Sequence, residues 1–202
     1  MQDIFKKILA IRFVYVLLVL IGIGVLLYIF SLTFSSSYQK EGHITCVSTF
    51  VDGGGPYYKS NVPFRKKITP DQNDGEKLIV KGKVLKNDCK TSVEGAVIDI
   101  WQASEEGSYE DQYYRGKVKS DRNGEYMFET VMPKGYGEGT AYRPPHIHFK
   151  IFINNSEIIT SQMFFPEAKG KPGFEEAYIM NLESKRLFGK VRHYGYHNII
   201  LP

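Results

Sequence analysis

The chain has 202 residues, a net charge of +4 at neutral pH and a charged fraction of 24% with both signs mixed. That length suits one domain of ordinary size plus an appendage. The mixed charge leaves no basic stripe of the kind that binds nucleic acid, and the 14% aromatic content suits a β-rich core.

The N-terminus is set apart. Residues 1–12 carry Lys6, Lys7 and Arg12 among apolar residues, and residues 13–34 hold 22 positions without a charge. About 20 apolar residues span a bilayer as a helix, whereas a secretory signal has an apolar core of about 7–15. The expectation is a cytoplasmic segment at 1–12, a transmembrane signal-anchor helix at 13–34, a polar tether at 35–45 and a soluble domain at 46–202. Basic residues ahead of the span place the N-terminus in the cytoplasm and the domain outside it, periplasmic or extracellular. Cleavage within Ser35-Ser36-Ser37 is the alternative.

The two cysteines are Cys46 and Cys89. An even count on the outer side of a membrane favours a disulfide over two free thiols. Gly53-Gly54-Gly55-Pro56-Tyr57-Tyr58 is a turn-rich loop, and Arg65-Lys66-Lys67 reads as a solvated patch. From Lys77 the pattern becomes β. Leu78–Leu85 and Ala96–Trp101 read as strands, and Ser120–Gly124 as a turn leading into a strand from Glu125. Asn154-Asn155-Ser156 is a turn before a strand at Ile158–Phe165, and Val191–Leu201 reads as one closing strand. Short strands separated by turn signals predict a β-sandwich. His193 and His197 fall in the closing strand, where i and i+4 lie far apart, and read as structural.

His146-Ile147-His148-Phe149-Lys150-Ile151-Phe152-Ile153 is the informative stretch. Its β-branched and aromatic residues predict a strand. Alternation then puts Ile147, Phe149, Ile151 and Ile153 on a core face and both histidines on the other, about 6–7 Å apart along the strand. Two imidazoles at that spacing can reach one ion, although an HxH pair alone also fits a plain solvated face. Tyr109 and Tyr136 precede it. A phenol is protonated at neutral pH and ligates well only beside a strong Lewis acid. Ferric iron is such an ion, and two phenolates, two imidazoles and one hydroxide would leave the centre uncharged and easier to bury. Taken singly, each tyrosine reads more simply as packing, because the chain has 14.

Three segments together resemble the intradiol ring-cleavage dioxygenases, the catechol and protocatechuate dioxygenase family. They are WQASEEGSY ending at Tyr109, TVMPKGY ending at Tyr136, and RPPHIHF carrying His146 and His148. The resemblance implies a β-sandwich that holds one non-haem Fe(III) through Tyr109, Tyr136, His146 and His148. It implies cleavage of a catechol-type aromatic diol by O2 between the two hydroxyl-bearing carbons. Tyr136 matches the tyrosine that yields to substrate and takes its proton, and Tyr109 the one that stays. Arg143 matches an arginine that stabilises developing negative charge on the bound ring. Gln162, Pro56 and Tyr57 fall where family members contact substrate, and a homo-oligomer is common among them.

The segment between Gly135 and Pro145 is short, at nine residues, which leaves the substrate open. A cupin-like site would need a Glu soon after HxH, where Phe152 and Ile153 stand, and a copper site would need more histidines. The remaining alternative is a non-catalytic extracytoplasmic module that binds iron or a catechol on the same sandwich.

Overall fold

The computed structural model describes residues 18–26, 28, 46–168, 178–187 and 189–202. The chain divides into two units, Met1–Ile44 and Thr45–Pro202. In the first, residues 18–26 are helical, with exposed apolar side chains such as Leu18, Leu20 and Leu26. The rest of the expected span at 13–34, the segment 1–12 and the tether 35–45 lie outside the described residues. Among the described residues no helix is long and apolar enough to cross a membrane.

The second unit is all-β with two sheets. One runs β4 (Glu125–Val131), β1 (Lys77–Leu85), β8 (Lys190–Tyr196), β7 (Asn181–Leu187), with β9 (Ile199–Ile200) also on β1. The other runs β3 (Arg115–Lys119), β2 (Val97–Gln102), β5 (His146–Ile153), β6 (Ser156–Phe164), all antiparallel. Alternation along β5 buries Ile147, Phe149 and Ile151 completely, and Leu78 and Val80 of β1 and Phe128 of β4 join them in one core. Each such side chain stabilises the fold by about 1.5–3 kcal/mol when taken fully out of water. Ile153 is only partly buried, since the β5–β6 register shifts between Ile151 and Phe152.

The expected closing strand is two strands. β8 pairs with the first half of β1 and β9 with the second, both parallel. Between them the chain bends in toward β1, where the His197 N–H donates to the Lys81 carbonyl and the Asn198 side chain accepts from the Lys83 N–H. Gly82 permits that approach. A Cβ there would lie 1.7 Å from the His197 carbonyl oxygen.

Cys46 and Cys89 are bonded, closing a loop of sequence separation 43. Arg65 departs from the expected solvated patch. It is half-buried, and its guanidinium donates to the Arg115 and Gln112 carbonyls, so the cation serves as a loop clamp.

Candidate metal centre

The outward face of the β3-β2-β5-β6 sheet carries the site. Its register aligns one cross-strand row of outward residues: Arg115 opposite Trp101, Trp101 opposite His148, and His148 opposite Gln162. In a soluble sandwich such a face would ordinarily be wet. Here it is covered, and His146 and His148 are each 4% exposed.

The cover is the segment that follows Cys46. The Asp52 N–H donates to Thr160 on the edge strand β6 at 2.8 Å. A Cβ at Gly54 would touch Trp101 and Thr160, and one at Gly55 would stand 3.7 Å from the His148 ring. Gly55 has φ +65°, a left-handed conformation that glycine adopts without steric cost. Gly54 and Gly55 therefore let the backbone lie against the histidine row. Tyr57 then stacks on Tyr109 with ring centroids 4.1 Å apart and planes 8° apart. Lys117 holds the far end of the cover by donating to the Ser60 carbonyl.

Tyr109 comes from the loop after β2. Ser104 organises that loop, its hydroxyl accepting from the Glu106 and Ser108 N–H groups. Gly107, at φ +88°, packs beside Gly135 and Tyr136, and Lys134 N–H donates to Ser104, so the two tyrosine-bearing loops are laid against each other. Tyr136 opens a short hairpin that closes at Arg143, the two residues exchanging main-chain hydrogen bonds of 3.0 and 2.7 Å. Pro144 and Pro145 lead from there into β5.

The donor atoms converge. His146 Nε2 stands 3.0 Å from His148 Nε2 and 3.4 Å from the Tyr109 oxygen. Atoms about 2.1 Å from a common ion stand about 3.0–3.4 Å apart for right to tetrahedral angles. The Tyr136 ring lies edge-on to Tyr109, with centroids 5.6 Å apart. His146 Nδ1 sits 2.6 Å from the Pro144 carbonyl. A carbonyl only accepts, so Nδ1 carries the proton and the Nε2 lone pair faces the other donors. Trp101 stacks flat on His148, centroids 4.9 Å and planes 2° apart, and fixes its plane.

Burial acts on these groups in a consistent way. It lowers the His146 imidazole and pushes His148 down to about 3, with the neighbouring His146 and Arg143 adding to the effect on His148, so both rings are neutral. It raises the Tyr109 phenol, and the neighbouring Tyr136 hydroxyl, toward which the neutral phenol can donate, raises it further. Two neutral imidazoles beside two tyrosine oxygens fit a hard, highly charged ion. Among the described residues no group of three or more His, Cys, Asp or Glu gathers elsewhere as a competing site.

A dioxygenase family model matches residues 54–193, a span that includes β1 to β7 and all four donor residues. The chain belongs to the intradiol ring-cleavage dioxygenase family. It is 33% identical over 138 residues to chlorocatechol 1,2-dioxygenase of Pseudomonas putida, covering 57% of this chain and 53% of that one. It is 35% identical over 109 residues to the protocatechuate 3,4-dioxygenase beta chain of Burkholderia cepacia, covering 46% of each. This intradiol family member thus spans about half the length of the curated relatives it matches. A solved structure covers it more fully. The dioxygenase domain of a dioxygenase carbohydrate-binding protein fusion from Streptomyces sp. SirexAA-E superposes with a TM-score of 0.65 at 27% identity, covering 77% of this chain and 98% of that one.

The other expected site residues are placed as follows. Arg143 is exposed at the mouth of the tyrosine hairpin. Gln162 lies opposite His148, and its side-chain amide donates to the Asp52 carboxylate. Tyr57 joins the site through its stack on Tyr109, while Pro56 is exposed in the cover beside it. Two residues with site contacts had no sequence signal beyond their type, Asp52 holding Gln162 and Arg115 at the end of the histidine row, while Trp101, which opens the WQASEEGSY segment, proves to lie under His148.

Proposed function

We propose that this protein cleaves the ring of a catechol-type diol with O2 between the hydroxyl-bearing carbons, using one ferric ion held by Tyr109, Tyr136, His146 and His148. The observation that carries the reading is the convergence of the Tyr109 oxygen with both histidine Nε2 atoms, 3.4 and 3.0 Å from His146 Nε2, inside a covered face. A ferric ion held by these donors would supply the Lewis acidity that ionises phenols and activates a catechol-type diol toward O2.

The residues divide the remaining work. Tyr136, on the hairpin ahead of β5, would yield its place to substrate and accept a substrate proton. Tyr109 stays, stacked under Tyr57. Arg143 stands where negative charge develops on the ring and stabilises it without reorganising. Tyr57 offers its ring face to the substrate, and Asp52 fixes Gln162 beside it. Catechol plus O2 balances to a muconate-type diacid.

The same proposal places the domain outside the membrane, anchored through residues 13–34. Its support is the uncharged run of 22 residues, the exposed apolar helix at 18–26 and the Cys46–Cys89 bond, which suits an oxidising compartment.

Oxygen uptake by the iron-loaded protein tests the activity. One O2 consumed per catechol, with a ring-opened diacid as product, is expected. Catechol binding without oxygen uptake would leave a non-catalytic binding module instead.

A further inference from the structure

Arg115 is 2% exposed. It begins β3 and lies opposite Trp101. Its guanidinium reaches from the sheet into the cover. Nε and Nη2 donate to the Glu110 carbonyl at 2.8 and 2.5 Å, and Nη1 donates to the Tyr57 carbonyl at 3.1 Å. Glu110 is the residue after Tyr109, and Tyr57 is the ring stacked on Tyr109. One planar fork therefore grips both layers of the stack by their main chains. Among the described residues no carboxylate forms an ion pair with it. Burying a cation is costly, and here the hydrogen bonds that offset the cost go to the two segments that aim Tyr109.

We propose that Arg115 is a positioning residue of the metal centre: its fork on the Tyr57 and Glu110 carbonyls sets the direction of the Tyr109 phenol and seats the Tyr57 ring against it. This rests on the reading of Tyr109 as an iron ligand. The cation's geometry matters as well as its charge, because a lysine cannot span two carbonyls from a fixed plane.

Arg65 supplies a matched control. It clamps the same loop from its far side, donating to the Arg115 carbonyl at 2.9 Å and to Gln112, and none of its bonds goes to Tyr57 or to Glu110. Losing it loosens the loop without releasing the stack.

The test compares the iron-loaded full chain with its Arg115→Lys and Arg65→Lys variants. Three quantities are read: the phenolate-to-iron absorption band, iron affinity by chelator competition, and anaerobic catechol titration. Arg115→Lys is expected to weaken iron binding about 10- to 100-fold, to move the band and to weaken catechol binding. Arg65→Lys is expected to keep the band and the affinity even where its melting temperature falls. A wild-type band and affinity in Arg115→Lys overturns the proposal, and so does an equal shift in both variants. If Arg115→Lys does not unfold cooperatively, Tyr57→Leu takes its place, since it removes the seated ring and keeps the fork. An unmoved band there also overturns the proposal. Absence of the band in the unsubstituted protein removes Tyr109 as a ligand, and the parent reading falls with it.

Discussion

Tyr136 and Arg143 are partners through their backbones, each donating its N–H to the other's carbonyl, at 3.0 and 2.7 Å. The proposed proton acceptor and the proposed charge-stabilising arginine are thus two ends of one hairpin, tied by their main chains. Gly137 makes the turn possible. It has φ +81°, and a Cβ there would lie 2.5 Å from the Ala141 carbonyl oxygen. Gly137→Ala should cost about 1–2 kcal/mol for the left-handed conformation. It should also lower kcat about 100-fold, because both groups shift against the substrate. Thermal melting and steady-state kinetics on the iron-loaded variant check this. A stability loss with kcat preserved would mean that the hairpin does not set the chemistry.

Arg143→Leu separates the two ends. Its guanidinium is exposed, so folding should be unaffected within about 0.5 kcal/mol. Removing one preorganised stabilising group should lower kcat by about 10²–10³, with iron content unchanged. Metal analysis beside oxygen-uptake rates reads both quantities. Unchanged kcat would remove Arg143 from the reaction.

The pH dependence of stability should carry a signature of His197. It is buried, its Nε2 finds no hydrogen-bond partner among the described residues, and burial pushes its imidazole down to about 4 from the ordinary value near 6.5. Between those values the unfolded chain binds a proton that the folded chain refuses. Stability therefore falls as pH drops from about 6.5 to about 4, and this contribution is flat below that. The loss amounts to about 3 kcal/mol at most. His197→Leu should remove that slope. Urea unfolding from pH 7 to 4 measures it, and an identical slope in the variant would contradict the assignment.

Removing the Cys46–Cys89 bond by a double Ser substitution should cost about 4 kcal/mol on the chain-entropy account, given its sequence separation of 43. The cover is also held by Thr49, which exchanges hydrogen bonds with Ile200, and by Asp52 on Thr160. Iron binding in the folded fraction should therefore be retained. Denaturant midpoints and iron content test the two halves separately.

Much of the site was legible because its signals are local. The alternation of His146, Ile147, His148 and Phe149 follows from strand geometry alone, and the structure buries the apolar pair in the core as expected. What escaped was non-local. The Arg115 bond to Tyr57 spans 58 residues and the Arg65 bond to Arg115 spans 50, and no pattern near either arginine marks it as a clamp. β3 (RGKVK) and β7 (NLESKRL) carry too little apolar alternation to stand out as strands. The split of the closing strand into β8 and β9 depends on parallel pairing with β1, far away in sequence. The aromatic cover over the histidines depends on Tyr57 meeting Tyr109, which only the folded chain brings together.

The most direct test of the central claim is the visible absorption spectrum of the iron-loaded protein before and after anaerobic catechol. The account predicts a phenolate-to-iron charge-transfer band that shifts when catechol binds and is lost in Tyr109→Phe. A colourless protein with full iron content would contradict the ferric centre built on Tyr109 and Tyr136.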